Sequence, residues 1–314
     1  MNSVLTASYT KENSSFGSLK TKLDNVISTQ IDSYLLSATY YQLTGRKGTY
    51  IYQDESSFLI VSNHPHLENC LMIFPEVISN SDFSLTAKVL LDNYNSKHQI
   101  LLCRYTNEEY IKLCTSLSNL KENSIELERV DEEIMDWKYP VRILSTEVVS
   151  KLEGGKFRKI RNKLLRAGIG IDIVPIEQCS QMNLMRAALK FWEGNMILNQ
   201  KDTEDMSEFY YELFKLMENG MELINGLCFI KEGRPVGFTA WDITAGTANL
   251  YVNLADTTIT GASDFQLVST CKYLYEHNIQ LLNMGGSELY NLDQFKEKYR
   301  PVITHPISTY TIKG

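Results

Sequence analysis

The sequence predicts a protein of the α/β class. Two observations lead to this prediction: strands and helices alternate at short spacing between Gly226 and Pro301, and a strongly basic helical segment precedes that run. Strand–helix–strand units of this length place neighbouring strands in one sheet with right-handed crossovers. The chain has 314 residues, 43% of them hydrophobic, which is enough for about two domains of ~150 residues with a sizeable core.

A β-hairpin opens the run. Two apolar segments in GLCFIKEGRPVGFTAWDIT flank the turn residues 231–235, which include Gly and Pro. TANLYVNLA follows as a further strand. The next segment, ASDFQLVSTCKYLYEHNI, has apolar residues close to helical spacing, and these predict a helix: Phe265, Val268, Leu274 and Tyr275.

A buried strand and a second helix close the run. The strand QLLNMGG breaks at Gly285 and Gly286, where the lack of side chains lets a ligand or another backbone come close. SELYNLDQFKEKYRP then predicts a helix that Pro301 stops.

The segment from Lys151 to Arg166 concentrates positive charge in a chain whose net charge is −7. Its apolar residues fall at helical intervals, which indicates a helix with one buried stripe and a basic outer face. Gly168 and Gly170 end this helix, and IDIVPI begins a strand. Clustered Lys and Arg attract polyanions, so the face is expected to meet phosphate; the alternative is a solvated helical face. The cations are Lys151, Lys156, Arg158, Lys159, Arg161, Lys163 and Arg166, against the single acid Glu153.

Together these segments resemble the phosphatidylglycerol lysyltransferase C-terminal-like family and, more distantly, the Fem peptidoglycan aminoacyltransferases. The resemblance rests on DEEIMDWKYPVRILSTEVVSKL, on GGKFRKIRNKLLRAG and on LLNMGGSELYNLDQFKEKYRP, and it covers about residues 25–312. Ser287 departs from the family pattern, because it separates the two glycines from Glu288. The resemblance implies two tandem GNAT-like halves, each a mixed central sheet flanked by helices.

The polar composition of the N-terminus and this resemblance together predict three regions. Residues 1–22 are expected to be a polar N-terminal leader, residues 23–135 the first half, and residues 136–314 the second half with the active site. The boundary lies near residues 123–144, where no Pro-, Gly- or Ser-rich linker occurs. A repeat is not visible in the sequence itself, only in the order of the elements.

The resemblance implies an enzyme that transfers an aminoacyl or acyl group to an amine or hydroxyl acceptor. Lys296 is expected to point toward the substrate and to bind a donor phosphate or stabilise the tetrahedral oxyanion; the alternative is a surface lysine with a buried stem. Glu288 is expected to accept a proton or to pair with the acceptor amine, unless it only complements a helix N-terminus. Asp242 and Asn253 lie on the strands GFTAWDIT and NLYVNLA, where a gap between strands is expected to receive the carbonyl; the alternative places both on a solvent face.

The donor is expected to be held by basic residues and by glycines that allow close backbone approach. Arg161 suits bidentate contact with phosphate. The stretch ADTTITGASDFQL has only Gly261 and Ala262 in place of a glycine-rich pyrophosphate loop, so aminoacyl-tRNA is favoured over acyl-CoA as donor. The expected donor-binding residues are Lys156, Arg158, Lys159, Arg161, Asn162, Gly261, Gly285, Gly286 and Arg300.

Two alternatives stay open: an acyl-CoA-dependent N-acyltransferase, and a non-catalytic binding module on the same fold. The expected partners are tRNA and a small-molecule, peptide or lipid-headgroup acceptor, with no tightly bound cofactor. No metal is expected, because His64 and His66 lack a third ligand at suitable spacing. Six scattered cysteines without a CxxC pair indicate reduced thiols in the cytoplasm. No uninterrupted apolar run approaches the ~18 residues of a membrane span.

Overall fold

The computed structural model describes residues 9–26, 31–77, 82–94, 98–120, 125–131, 135, 137–177, 181–199, 204–219 and 224–313. It divides into two compact units. The first unit comprises residues 1–141, 286–293 and 305–314, and the second unit comprises residues 142–285 and 294–304. The sequence predicted contiguous halves, whereas each unit is assembled from discontinuous segments.

Helices and strands are distributed over the described residues. Numbered in chain order, the elements are β1 (Thr10–Asn13), α1 (Phe16–Asp24), α2 (Ala38–Thr44), β2 (Thr49–Gln53), β3 (Phe58–Asn63), β4 (Cys70–Ile73), α3 (Ser84–Tyr94), β5 (Gln99–Tyr105), α4 (Asn107–Asn119), β6 (Leu127–Arg129), β7 (Val141–Ser145), α5 (Thr146–Lys151), α6 (Arg158–Ala167), β8 (Ile171–Pro175), α7 (Met182–Leu198), α8 (Glu204–Asn219), β9 (Ile224–Lys231), β10 (Arg234–Thr244), β11 (Thr247–Ala255), α9 (Ala262–Glu276), β12 (Leu281–Asn283), α10 (Tyr290–Glu297), β13 (Ile303–His305) and β14 (Ser308–Ile312).

The two sheets share one topology. The first has the order β1-β2-β3-β4-β5-β14-β6 and the second the order β8-β9-β10-β11-β12-β7-β13. In each, four antiparallel strands come first, and a helix then leads to a fifth strand parallel to the fourth. A strand from a distant segment of the chain, β14 or β7, then separates the fifth strand from the last. The duplication that the sequence conceals is therefore present in the element order.

Most predicted elements of the second unit are confirmed. The hairpin is β9 and β10, the following strand is β11, and α9 leads to β12, which pairs parallel to β11. The predicted basic helix is shorter than expected. Leu152 and Gly154 adopt positive φ angles of 47° and 85°, which end α5 before α6 begins at Arg158.

The predicted N-terminal leader is folded where it is described. Residues 1–8 lie outside the described residues, but β1 pairs antiparallel with β2, and α1 follows with a capping box at Ser15. Leu19 and Leu23 on α1 are buried. Polar composition alone therefore misjudged this segment, because a few buried leucines are enough to dock a short helix.

The core of the second unit lies between α9 and its sheet. Leu267, Cys271 and Leu274 of α9 are buried together with Trp241 of β10 and Leu282 of β12. The five described cysteines are free, and four of them are buried. Among the described residues, no helix combines the length and the apolar character needed to cross a membrane.

A buried ion pair organises the first unit. Arg104, at the end of β5, donates to Asp32 from Nε at 2.8 Å and from Nη2 at 2.5 Å, and both side chains are almost fully buried. The rings of Tyr34 and Tyr40 lie 5.4 and 5.2 Å from the guanidinium, within cation–π range. Each of these two buried charges needs the other as its counter-charge, because burying either one alone would cost much free energy.

We expect Asp32→Asn to lower the free energy of unfolding by about 3–5 kcal/mol, because it leaves the buried guanidinium without its counter-charge. The measurement is urea denaturation followed by circular dichroism. Asp24→Asn is the matched control: it removes the exposed ion pair between Lys20 and Asp24, which contributes no more than about 1 kcal/mol. Equal losses in the two variants would contradict the central role of the buried pair.

Candidate functional site

The second sheet opens between β11 and β12. These parallel strands share only three residue pairs, from Thr247↔Leu281 to Asn249↔Asn283. β12 ends there, while β11 continues for the six residues 250–255. A parallel pair that separates in this way leaves a strand edge to which an extended ligand can bind.

The chain after β12 leaves β11 for a local reason. The side-chain oxygen of Asn283 accepts a hydrogen bond from the backbone N–H of Gly285 at 2.9 Å, which forms a turn. Gly285 itself has φ of +66°, a conformation that favours glycine. The backbone of Met284 and Gly285 remains hydrogen-bonded to Arg142 of β7. The continuation of β12 therefore stays with β7 and turns away from β11.

A buried polar cluster lies beside the opening. Asp242 of β10 accepts hydrogen bonds from Asn249 Nδ2 at 2.8 Å and from the Tyr251 hydroxyl at 3.1 Å. Tyr251 is the extra residue of a β-bulge, because the β10–β11 register shifts between Ala240 and Trp241. Bulges re-aim side chains and are frequent next to active sites. Here the bulge brings the phenol to the carboxylate.

Lys296 reaches the same end of β12 from α10. Its side chain is buried, with only 5% of the residue exposed, and its Nζ donates to the Gly285 carbonyl at 3.4 Å. A lysine that only lay on the surface would keep its ammonium in water. The amine is instead held at the turn where β12 separates from β11.

The expected position of the gap was wrong. β10 and β11 are paired along almost their whole length, from Gly237↔Ala255 to Thr244↔Thr247, so no gap opens between them. Asp242 and Asn253 are also not brought together. Trp241 packs against Tyr273 of α9, so its neighbour Asp242 points to the opposite face. Asn253 instead donates from Nδ2 to the carbonyl of Ser263 at the start of α9.

Arg161 forms hydrogen bonds with backbone carbonyls of its own unit. Its Nη1 donates to the carbonyls of Leu152 and Gly154, the latter at 2.8 Å. These bonds tie the loop before α6 to the helix, and the phosphate contact expected of Arg161 stays a prediction. The other expected donor-binding residues of this segment are exposed: Lys156, Arg158, Lys159 and Asn162.

The N-terminus of α9 is crowded by α6. Gly261 has φ of +87°, and a Cβ placed there would lie 3.3 Å from the Ala167 Cβ and 3.4 Å from the Lys163 Cβ. Asp264, in the first turn of α9, brings a carboxylate to the same end of the helix. A pyrophosphate at this helix end would therefore meet both close packing and a negative charge.

The buried carboxylate of Asp264 is surrounded by a tyrosine hydroxyl and two lysine ammonium groups. Its Oδ1 accepts from the Tyr299 hydroxyl at 2.5 Å and from Lys298 Nζ at 2.6 Å, and Lys163 Nζ lies 3.6 Å from Oδ2. Burial raises the pKa of this carboxyl, but the hydrogen bonds from Lys298 and Tyr299 outweigh it and lower the pKa below its ordinary value. Burial also lowers the pKa of Lys298, and Asp264 opposes that shift.

The remaining expected residues are spread over the C-terminal segments. Gly286 is buried, and Glu288 is half-buried in the segment that belongs to the first unit. Arg300 is exposed, and its positive φ of 59° marks the turn after α10. Their roles in catalysis and donor binding stay predictions.

Sequence reasoning missed several polar residues of this region. Asn249, Tyr251 and Asn283 acquire their role only through cross-strand register, and Lys298 only through Asp264. One signal was available: polar side chains occur inside the otherwise apolar strands NLYVNLA and QLLNMGG. A buried polar side chain in a strand needs a partner, so such positions indicate a polar cluster.

Together the described contacts fit chemistry at a carbonyl carbon. The opened strand pair supplies a place for an extended substrate, and the Lys296 ammonium is a donor suited to a developing oxyanion. Asp242, oriented by Asn249 and Tyr251, is a carboxylate that can take part in proton transfer.

Comparison with known proteins supports the fold. No protein-family model matches the chain, and no curated protein matches its sequence. Solved structures do match. A conserved protein of unknown function from Bacteroides thetaiotaomicron has a TM-score of 0.73 at 16% identity, covering 96% of this chain and 99% of its own. L-PGS from Bacillus licheniformis has a TM-score of 0.63 at 14% identity, covering 96% and 93%. FemX has a TM-score of 0.59 at 11% identity, covering 96% of each chain.

These similarities confirm the predicted fold class of two tandem GNAT-like halves, and they include both groups of proteins that the sequence resembles. At identities of 16% or lower they describe the fold and leave the reaction to be argued from the site.

Acidification should remove the stabilisation that Asp264 provides. Its pKa is lowered in the folded protein, so the ionised carboxylate stabilises the fold at every pH above the unfolded value of about 4. This contribution is lost as the pH falls through the lower folded-state pKa. We therefore expect the difference in unfolding free energy between the protein and Asp264→Asn to be constant above about pH 5 and to shrink below about pH 4.

The measurement is denaturant unfolding across that pH range. Tyr299→Phe is the matched control, because it keeps the carboxylate but removes one hydrogen bond that lowers its pKa, so the acid transition should move to higher pH. A free-energy difference that stays constant down to about pH 2 would contradict the assignment.

Proposed function

We propose that this protein is an acyltransferase that moves an aminoacyl group from aminoacyl-tRNA to an amine or hydroxyl acceptor in the cytoplasm. The observation that carries the proposal is the buried Lys296 ammonium, held at the Gly285 carbonyl where β12 leaves β11. The similarity of the fold to L-PGS and FemX supports the same class of reaction.

The reaction proceeds by direct transfer. The acceptor nitrogen or oxygen forms a bond to the ester carbonyl carbon, and the carbonyl oxygen becomes an oxyanion. The ester C–O bond then breaks, and the ribose hydroxyl of the tRNA leaves with a proton that the acceptor gave up. The buried ammonium of Lys296 stabilises the oxyanion, an interaction that is stronger away from bulk water.

Proton transfer falls to a carboxylate near the opening. Asp242 is buried and accepts hydrogen bonds from Asn249 and from the half-buried Tyr251, which orient its carboxylate. Glu288, which belongs to the first unit, stays a second candidate on the sequence resemblance alone. A general base needs to lie within hydrogen-bond reach of the proton that it takes up.

The α9 N-terminus favours aminoacyl-tRNA over acyl-CoA. An acyl-CoA enzyme of this fold class needs room for a pyrophosphate there, whereas Gly261 packs against α6 and Asp264 adds a buried carboxylate. The exposed cations of the α6 segment, Lys156, Arg158 and Lys159, offer phosphate contacts that a polynucleotide can span.

The donor is tested by equilibrium binding of a labelled aminoacyl-tRNA over a salt series, with a CoA thioester as competitor. We expect salt-sensitive binding that the thioester does not displace. Displacement by the thioester would instead support the acyl-CoA-dependent N-acyltransferase. Tight binding with the aminoacyl group recovered unmoved, across a panel of amine and hydroxyl acceptors, would support a non-catalytic binding module.

Lys296→Met should lower the single-turnover rate of aminoacyl transfer by about 10²- to 10³-fold with little change in donor affinity, as expected for loss of one oxyanion donor. Lys272→Met is the matched control, since it removes the same charge from an exposed position on α9 that pairs with Glu276 at 3.9 Å. Equal rates in the two variants would contradict the role of Lys296.

A further inference from the structure

One buried carboxylate connects the two basic segments of the second unit. Asp264 is 4% exposed and contacts Lys163 on α6 as well as Lys298 and Tyr299 just after α10. α6 carries the cations expected to meet the donor, and α10 carries Lys296. The same side chain therefore contacts both parts of the proposed site.

The contacts of Asp264 on its two sides differ in strength. On Oδ1 the partners are close, at 2.5 and 2.6 Å; Tyr299 is fully buried, and the Lys298 side chain is 31% exposed. On Oδ2 the Lys163 ammonium is 3.6 Å away, and its side chain is 53% exposed. Short buried hydrogen bonds hold a geometry, whereas a long half-exposed ion pair contributes little and exchanges readily. The α10 side is therefore fixed and the α6 side is exchangeable.

The charges around Asp264 do not balance. One carboxylate faces two ammonium groups, Lys163 and Lys298, at the positive end of α9. Lys163 can therefore move away while the negative charge of Asp264 stays compensated, because Lys298 and Tyr299 still donate hydrogen bonds to Oδ1. A phosphate offers Lys163 an equivalent partner at the surface.

Arg161 and Lys163, both cations of the basic face, have different surroundings in the structure. Arg161 is tied to the carbonyls of Leu152 and Gly154, while Lys163 has a half-exposed ammonium beside an exchangeable counter-ion. We propose that Lys163 binds a phosphate of the tRNA donor, and that Asp264 is the counter-ion that holds Lys163 in the unliganded protein and positions the Lys296 segment through Lys298 and Tyr299.

This inference rests on the proposed tRNA donor and adds a phosphate-binding residue to it. When the polyanion arrives, Lys163 exchanges Asp264 for phosphate, and the hydrogen bonds of Asp264 to the α10 side remain. Asp264 thus lowers the affinity for RNA at rest while it keeps Lys296 in place. Asp264 touches neither donor nor acceptor, so it is a positioning residue.

The test is a double-mutant cycle on RNA binding with Lys163→Met, Asp264→Asn and the combined variant. Lys163→Met should weaken tRNA binding and reduce the slope of log K against log salt by about 0.7–0.9, the value for one phosphate contact. Asp264→Asn should strengthen binding at low salt by about two- to fivefold, because Lys163 no longer has to leave a carboxylate. This gain should vanish in the Lys163→Met background.

Tyr299→Phe is the matched control: it removes a hydrogen bond from Asp264 without freeing Lys163, so RNA affinity should not rise. Thermal unfolding of each variant identifies losses that come from misfolding. If Lys163→Met leaves affinity and slope unchanged, or if the gain from Asp264→Asn persists without Lys163, the inference is overturned.

Inorganic polyphosphate is the second probe and separates this inference from the donor assignment. Polyphosphate binding that follows the same cycle, with no tRNA binding, would overturn the tRNA donor and retain Lys163 as a phosphate contact. A lack of binding to both probes would overturn both.

Discussion

The second unit depends on the separation of two parallel strands. β11 and β12 share three residue pairs, and then Asn283 and Gly285 turn the chain toward β7. Because β12 leaves, the far half of β11 loses that neighbour, and the bulge at Tyr251 changes its alignment with β10 at nearly the same point. The polar cluster around Asp242 and the buried Lys296 are both located at this divergence. A continuous sheet would bury the same backbone and leave no place for a substrate.

The first unit shows the same topology in a closed form. All four residues of β4 pair with β5, and the Tyr105 hydroxyl donates to the Phe74 carbonyl just beyond the pair. Arg104, the residue before Tyr105, has a φ of +65° and forms the buried ion pair with Asp32. The position that opens in the second unit is thus occupied by bulky and paired side chains in the first. One copy of the repeated topology is filled by buried side chains at this position, and in the other copy the parallel strands diverge.

Three cations of the second unit that look alike in the sequence differ in their burial and in their hydrogen-bond or ion-pair partners. Arg161 is bound to two carbonyls, Lys163 pairs loosely with Asp264, and Lys296 is buried at a carbonyl. They differ in how deeply the charged group is buried and in how strongly it is bound by its hydrogen-bond or ion-pair partner. Arginine suits a fixed fork of hydrogen bonds, whereas lysine is a mobile point charge, and the structure uses each accordingly.

The elements themselves could largely be predicted from the sequence. Alternation of apolar residues with turn residues indicated the β9–β10 hairpin, helical spacing indicated α6 and α9, and paired glycines marked the end of β12. Each of these signals is local, because it depends on residues within a few positions of one another. The site was predictable only in part. Lys296 and Asp242 were expected to matter, but the gap was expected between β10 and β11.

The amino-acid sequence is therefore sufficient to predict most strands and helices and the concentration of charge on α6. Which strands diverge depends on the tertiary structure. There, β7 pairs beside β12 and β14 pairs beside β5, and these partners are distant in the sequence. The tertiary structure also decided which polar groups meet: Asp264 contacts residues 101 positions before it and 34 and 35 positions after it, from 163 to 264 and from 264 to 298 and 299. The local spacing of apolar residues cannot indicate such contacts, because they form only when distant segments pack together in the folded unit.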